Sequence, residues 1–519
     1  MIQALAWGAV LRFLQALLQA TPTILVGLLV AGIFHRLLEH AGTRRLFGQT
    51  SARSLLQAWF VGMLLPVCSF GVLPVVREMR KAGVAGGSIL AFALTAPLFN
   101  PISVLYGLTL SEPVVIIAFT ACSLIIVTVI GIVWDQLFTH TAVRETATAR
   151  AAYGIRRMLA VAVSAAQALL SRSSAYILIG LAGVGLLSLF LPMGSLQQAA
   201  EPDDRWAPLF MALVITPAYA PPMTAMVQLA SMFQHGNSVG AAFALLVLGA
   251  GTNLGLIAWM LGTYGWRRTA VWFGILWSLV VLLAYGVNRP LHPAGVASAG
   301  HTHAFDNLCA PFAEGETAPF ATAVGQLRES TAVHELRGLF LLGILAAAGL
   351  GLRCSGRQSQ LDAWLEQTRD TAAGRYDVVL PGPVLGGVTL LLVIGLSVFG
   401  CYVFYPPPDE VFEELRLVNT EVVAAAYTGD WDAAAFWLPI QQDWVRKLRV
   451  GMFLRGHEMS RYQRAKADVL LDHLEQLEHD VEVPQTEATR AQAKEQARIV
   501  GLAYRRFREA HLALTRQAE

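Results

Sequence analysis

The chain has 519 residues, of which 55% are hydrophobic and only 14% charged, against about 25% charged in an average soluble domain. Mean hydropathy is +0.52. So few charges cannot clothe a soluble globule of this size, and the composition suits neither disorder nor a disulfide scaffold, which leaves a polytopic helical membrane protein.

The net charge of +2 says little about partners, but the charge is unevenly spread: 34 of the 74 Asp, Glu, Lys and Arg residues lie in 409–519. The chain therefore divides into an apolar body and a polar tail. Its opening, MIQALAW, has no basic n-region, so a cleaved signal peptide is not expected. Cys68, Cys122, Cys309, Cys354 and Cys401 are widely spaced with no CxxC, which supports neither a disulfide framework nor a structural zinc site.

In chain order, residues 1–19 read as an amphipathic helix at the membrane interface, as do 154–172. A span needs about 20 apolar residues. Candidate spans are 20–38, 55–76, 86–110, 113–134, 174–192, 207–229, 239–263, 269–287, 337–353 and 378–404. A Pro-, Gly-, Ala- and His-rich linker occupies 288–335, and a shorter polar loop 354–377. The tail shows four amphipathic stripes: Leu415, Val418, Val422 and Ala425; Trp444, Leu448 and Met452; Leu470, Leu474, Leu477 and Val481; and Val500, Tyr504, Phe507, His511 and Leu514. Each buries one helix face, with Gly429-Asp430, Arg455-Gly456 and Pro484 as punctuation. A four-helix bundle is the economical packing. Its histidines, His457, His473, His479 and His511, read as surface or seam residues rather than metal ligands.

The body repeats itself at an offset of 153 residues. Ile24-Leu25 matches Ile177-Leu178, Gly27-Leu28 matches Gly180-Leu181, and Gly32, Gly83, Gly87 and Asn100 match Gly185, Gly236, Gly240 and Asn253. Duplicated halves are a usual build of secondary transporters. Matched loops carry opposite charge character. Glu39, Arg44, Arg45 and Arg53 match Glu201, Asp203, Asp204 and Arg205; Arg77, Glu78, Arg80 and Lys81 match a 230–238 without a full charge; and Glu112 matches Arg267-Arg268, so the Lys/Arg excess changes side each time. Under the positive-inside rule this predicts inverted halves. It also places both ends of 55–76 on one side, as a re-entrant hairpin, with 207–229 entering from the other. A full span kinked at Pro66 and Pro74, and at Pro217, Pro221 and Pro222, is the alternative. The expected domains are a first repeat (1–150), a second (151–290), the linker (291–335), two additional transmembrane helices (336–405) and the soluble bundle (406–519).

Two breaks mark a candidate pathway. One holds Cys68 and Ser69 between Pro66 and Pro74; the other is Thr95-Ala96-Pro97-Leu98-Phe99-Asn100-Pro101. Pro97 and Pro101 free carbonyls on the preceding turn, and half-helix ends can hold an ion or polar solute. The second half offers Pro221, Pro222, Thr252 and Asn253 at the matched places. Asn100 and Asn253 read equally as solute contacts or as interhelical glue.

The run 66–105, PVCSFGVLPVVREMRKAGVAGGSILAFALTAPLFNPISVL, resembles the signature region of the predicted bacterial permease family that includes organoarsenical exporters. TPTILVGLLVAGIFH (21–35) is similar to that family's opening helix, and GAAFALLVLGAGTNL (240–254) to its second signature. The resemblance covers about 20–290. It implies a permease of the bacterial inner membrane exporting soft, thiol-reactive species. The family often reads Cys-Ser-Cys-Gly; this chain has Phe70 in place of the second Cys, which leaves one thiol where a two-thiol grip on a soft metal needs two. Cys68 then reads as a single soft ligand or a small packed residue.

The interiors of 55–76, 86–110, 113–134, 207–229 and 239–263 hold no Asp, Glu, Lys or Arg, which argues against a hard-cation site and for a neutral or weakly charged solute. His35 reads as an interfacial residue before a proton-coupling one. No resident metal is assigned; His301, His303 and Cys309 are weak candidates for capturing zinc or copper, in a spacing that fits no closed motif. No cofactor is implied, no nucleic acid is expected as a partner, and no HExxH, GxSxG or P-loop points to an enzyme. The expected partners are the bilayer and a small-molecule or metalloid solute. The competing reading is a membrane-anchored sensor or assembly protein whose tail binds another protein.

Overall fold

The computed structural model describes residues 2–48, 51–138, 156–196, 201, 203–292, 304–312, 319–356, 358–366, 381–457, 459–482 and 486–518, and the described residues are helical with no strand. They form two compact units, Met1–Ser397 and Val398–Glu519.

In the first unit, α1 (Ile2–Ile33) runs through a π-helical turn at Phe34–Leu38 into α2 (Glu39–Phe47). The expected interfacial helix at 1–19 is therefore the first half of α1. Packing overrides its amphipathic look: a Cβ at Gly185 would meet Ala9 O at 2.8 Å, and Leu11, Ala16 and Leu18 are buried. Two short helices follow, α3 (Ala52–Leu64) and α4 (Val72–Lys81), separated by the proline break at 65–71. A reciprocal Ser51/Ser54 capping box starts α3. At 13 and 10 residues, neither is long enough to cross alone.

Next come α5 (Gly86–Leu98) and α6 (Pro101–Leu110), bent by 48° at their break, and α7 (Pro113–Leu137). Then α8 (Arg156–Leu169) and α9 (Arg172–Phe190) lead into the short α10 (Ala207–Ile215) and α11 (Pro222–Gln234). After these, α12 (Val239–Ala244) continues as a π-helix to Ala250, meets α13 (Leu254–Tyr264) at 55°, and is followed by α14 (Trp266–Asn288).

Neighbouring contacts give the direction of each short helix. Ser88 donates to Ser54 at 3.2 Å, and Gly62 lies against Thr95 and Ala96, so α3 and α5 run side by side in the same direction. The intervening α4 must return to the face where α3 began. It does so along α1, from Gly71 against Gly27 to Glu78 against His35. The second set is built alike: Gly240 packs on Pro208 and Gly249 on Ile215, so α10 and α12 run together and α11 returns. Both 55–76 and 207–229 are thus hairpins, with turn glycines Gly83 and Gly236 at φ +76 and +62 on the return.

The two mouths lie at opposite ends. Tyr264 and Arg268 sit at the first mouth, within 5.2 Å of Arg80 and 5.3 Å of the Phe138 ring. From there the 23 residues of α14 end at Asn288, which accepts from Gly240 N at the second mouth. A helix of that length covers about 35 Å, a full hydrocarbon core of about 30 Å.

The expected linker is partly ordered, with a packed segment at 304–312 and α15 (Pro319–Ser330). Two apolar helices, α16 (Val333–Cys354) and α18 (Gly382–Phe404), flank the shorter α17 (Gln358–Glu366). Among the described residues, six helical stretches are long and apolar enough to cross a membrane, or eight if each bent pair counts as one.

The second unit holds α19 (Pro408–Thr428), α20 (Trp431–Leu454), α21 (Arg461–Glu482) and α22 (Glu487–Ala518). The four sequence stripes meet in one core, from Leu415 and Val422 to Leu448, Leu474 and Phe507. Gly429 ends α19 in the left-handed region and Asp430 caps α20. His511 lies in that seam, its Nδ1 2.9 Å from Phe507 O; Pro484 lies outside the described residues.

Candidate functional site

The hairpin tips meet. Phe70, at the first tip, stacks on Tyr219, at the second, with ring centroids 4.1 Å apart. Cys68 is buried and its Sγ accepts from Gly71 N at 3.3 Å, closing a tight turn. The tip backbone lies almost on α1: a Cβ at Gly27 would fall 2.1 Å from Gly71 O. On the other side, a Cβ at Gly180 would fall 2.4 Å from Phe70 and 2.9 Å from Asn253 Oδ1. Cys68, Ser69, Phe70, Tyr219 and Asn253 thus cluster at the centre of the body.

Three buried polar atoms there lack a hydrogen bond: Ser69 Oγ, Tyr219 Oη and Asn253 Nδ2. The Cys68 thiol and Thr23 lie beside the Tyr219 hydroxyl without a bond of standard geometry. An unmet polar group in the interior costs about 1–3 kcal/mol, a cost that a small polar guest at the hairpin tips would relieve.

The two asparagines share one job. Asn100 Oδ1 accepts from Ile102 N and Ser103 N at 3.1 and 2.9 Å, capping α6; Asn253 Oδ1 accepts from Leu256 N at 2.9 Å, capping α13. Pro101 occupies the first turn of α6, where no donor is missed. Pro97 is in the last turn of α5, and Ser103 donates to Leu98 O and Asn100 O across the break. Thr252, in the break, donates to Leu248 O of the preceding helix, so its hydroxyl is already engaged. Pro221 and Pro222 start α11 just after Tyr219. Of the sequence candidates, Cys68, Ser69 and Asn253 are brought together. Among the described residues no hydrogen bond joins Asn100 to them.

Sequence reasoning passed over Tyr219, Thr23 and the helix-end partners Asp135 and Asn288. Gly87 N donates to Asp135 at 2.8 Å and Gly240 N to Asn288 at 2.9 Å. Asp135 and Asn288 obey the same 153-residue offset as Gly87 and Gly240, which is the signal that would have found these two partners.

The second mouth is covered by 304–312. Arg12 donates to Cys309 O at 3.0 Å and Asp306 O at 2.6 Å, and Gln228 to Ala304 O at 2.7 Å. Cys309 is buried with its Sγ 3.8 Å from Ser195 Oγ, and that burial pushes the thiol above its usual range. Among the described residues no group of three His, Cys, Asp or Glu side chains could hold a metal ion; His301 and His303, the expected partners of Cys309, lie outside the described residues.

Two opposed hairpins buried among spanning helices define a multi-pass membrane protein of the permease class. The chain belongs to the predicted permease family (ArsP_1), whose model matches residues 6–288, a little over half of it. It is similar to "UPF0718 protein YcgR" of Bacillus subtilis (strain 168), 32% identical over 90 residues, which are 17% of this chain and 31% of that protein. It is also similar to the "Putative two-component membrane permease complex subunit" of Streptococcus mutans, 29% identical over 90 residues, 17% and 30% of the two chains. Both matches span under a third of the relative's length. No solved structure matches the chain significantly. A bacterial inner membrane fits these relatives.

Proposed function

We propose that the chain is a secondary-transporter-type permease, not an enzyme, that exports a small neutral or weakly charged solute through the point where the hairpin tips meet. The observation that carries this reading is the buried meeting of the hairpin tips, where Phe70 packs on Tyr219 and Ser69 Oγ and Asn253 Nδ2 have no hydrogen-bond partner, between hairpins that open on opposite faces. Cys68 adds a single thiol beside them, which suits a soft metalloid better than a hard cation.

Reciprocal contacts support a duplication with inverted halves. Gly32 of α1 packs on Val161 O of α8, and Gly185 of α9 packs on Ala9 O of α1. With the 153-residue offset these are one contact made twice, to within one residue, as a two-fold relation requires. Rocking one half against the other would pull Phe70 from Tyr219 and open the centre to alternate faces.

The test is uptake by everted vesicles carrying the chain, offered arsenite, trivalent methylarsenical and zinc in turn and read by elemental mass spectrometry. Accumulation of an arsenical above empty vesicles is expected, falling at least several-fold in Cys68→Ala; no accumulation of any of the three sinks the solute class. The competing reading, an anchored sensor or assembly protein, draws on the separate core of Val398–Glu519. Removing 406–519 separates the two: a partner-binding role would be lost with transport unchanged.

A further inference from the structure

Besides the central cluster, the first mouth holds a cavity of 250 Å³ between the π-turn of α1 and helices α4, α8 and α17, well above the about 10–15 Å³ that a single water needs. Its wall includes His35, Arg77, Glu78, Lys81, Ser164 and Gln167. The one carboxylate is spent: Glu78 Oε2 is 3.1 Å from His35 Nδ1, and Oε1 accepts from Lys81 Nζ at 2.6 Å. Arg77 has no ion pair or hydrogen bond among the described residues, and Gln167 Nε2 is buried without a partner. Ser164 Oγ accepts from Arg36 Nε at 2.8 Å, which leaves its own proton to donate. The cavity thus keeps one full positive charge in excess, with a guanidinium fork, an amide and a hydroxyl as idle donors. A wall rich in unspent donors, with its only acceptor charge neutralised, selects an anion, and a guanidinium prefers the two-oxygen edge of a phosphate.

We infer that this cavity is a binding site for a phosphate group, held by Arg77 and Gln167 with the Ser164 hydroxyl as a further donor. The assignment does not depend on the identity of the central solute. The mouth is the basic one, with Arg80 and Lys81 beside it and Arg268 near Phe138, so by the positive-inside rule it faces the cytoplasm. Free phosphate and the headgroups of anionic lipids are both available there.

The test uses the full chain in a neutral detergent and reads the thermal midpoint against inorganic phosphate, with chloride holding ionic strength constant. A saturable rise is expected, with half-saturation shifted at least tenfold in Arg77→Gln and raised in Gln167→Leu. Gln167→Leu keeps the test decisive if Arg77→Gln does not fold. If phosphate is silent but phosphatidic acid gives the same Arg77-dependent rise, the bound group is a lipid headgroup and the site stands. No effect of either over chloride, or a rise that both variants leave unchanged, overturns the inference.

Discussion

Replacing Gly27 by alanine is expected to lower the thermal midpoint of the detergent-purified protein by several degrees, although alanine is the better helix former. In the interior of α1 the substitution would gain about 1 kcal/mol from propensity alone. The added Cβ, however, would lie 2.1 Å from Gly71 O and 2.6 Å from its carbonyl carbon and Cα. All three are backbone atoms at a tight turn, and no side chain can swing away. Overpacking costs about 1–3 kcal/mol, and a backbone clash belongs at the upper end, so the balance is a loss of about 2 kcal/mol. At about 2–4 °C per kcal/mol for a large domain, that is roughly 4–8 °C. Gly274, where an added Cβ would meet nothing within 4 Å, supplies the control: Gly274→Ala should leave the midpoint unchanged or slightly raised. A Gly27→Ala protein as stable as wild type would mean that the first hairpin tip does not rest on α1.

Asn253 offers the second large effect, because its two side-chain atoms do different work. Oδ1 caps α13 and lies beside Gly180, and Nδ2 is buried without a partner. Asn253→Ala removes both and should cost about 1 kcal/mol of stability through the cap. Asn253→Ser keeps a capping oxygen and removes only the amide donor, so its stability should be near wild type. If Nδ2 binds solute, both variants should lose tenfold or more of the vesicle uptake described above. Loss in Asn253→Ala together with full uptake by Asn253→Ser would make Asn253 a cap and nothing more. The same pair of substitutions at Asn100 should show the cap effect.

Much of this architecture was legible because hydrophobicity and loop charge report directly on a membrane. The proline breaks at 66 and 217–222 and the sign change between matched loops already pointed to hairpins from opposite sides, and the hydrogen bonds at Ser54–Ser88 and the packing of Gly240 on Pro208 give the same directions. The shared glycines were visible, but not their reason: Gly27, Gly32, Gly180 and Gly185 each admit a neighbouring atom within 2.1–2.8 Å of where a Cβ would stand. Residues 1–19 misled because amphipathicity does not distinguish a lipid interface from a groove in the protein. Tyr219 was passed over because it pairs with Phe70 across 149 positions of chain, and no local spacing encodes such a contact. Phe70 itself entered only as a missing cysteine; in the fold it is one half of the aromatic contact that closes the centre. The asparagines stood out as a pair, and their capping role follows from lying at the start of the second half-helix, where four N–H groups lack partners.

The central claim is that two hairpins enter from opposite faces and meet tip to tip. The most direct measurement is accessibility of single cysteines, placed one at a time at positions 45, 81, 204 and 268 in a chain with its own cysteines replaced, to an impermeant maleimide in intact cells and in everted vesicles. The structure predicts that 45, 81 and 268 label together, from the cytoplasmic side only, and that 204 labels from the opposite side only. Labelling of 45 and 81 from opposite sides would make 55–76 a full span and contradict the account.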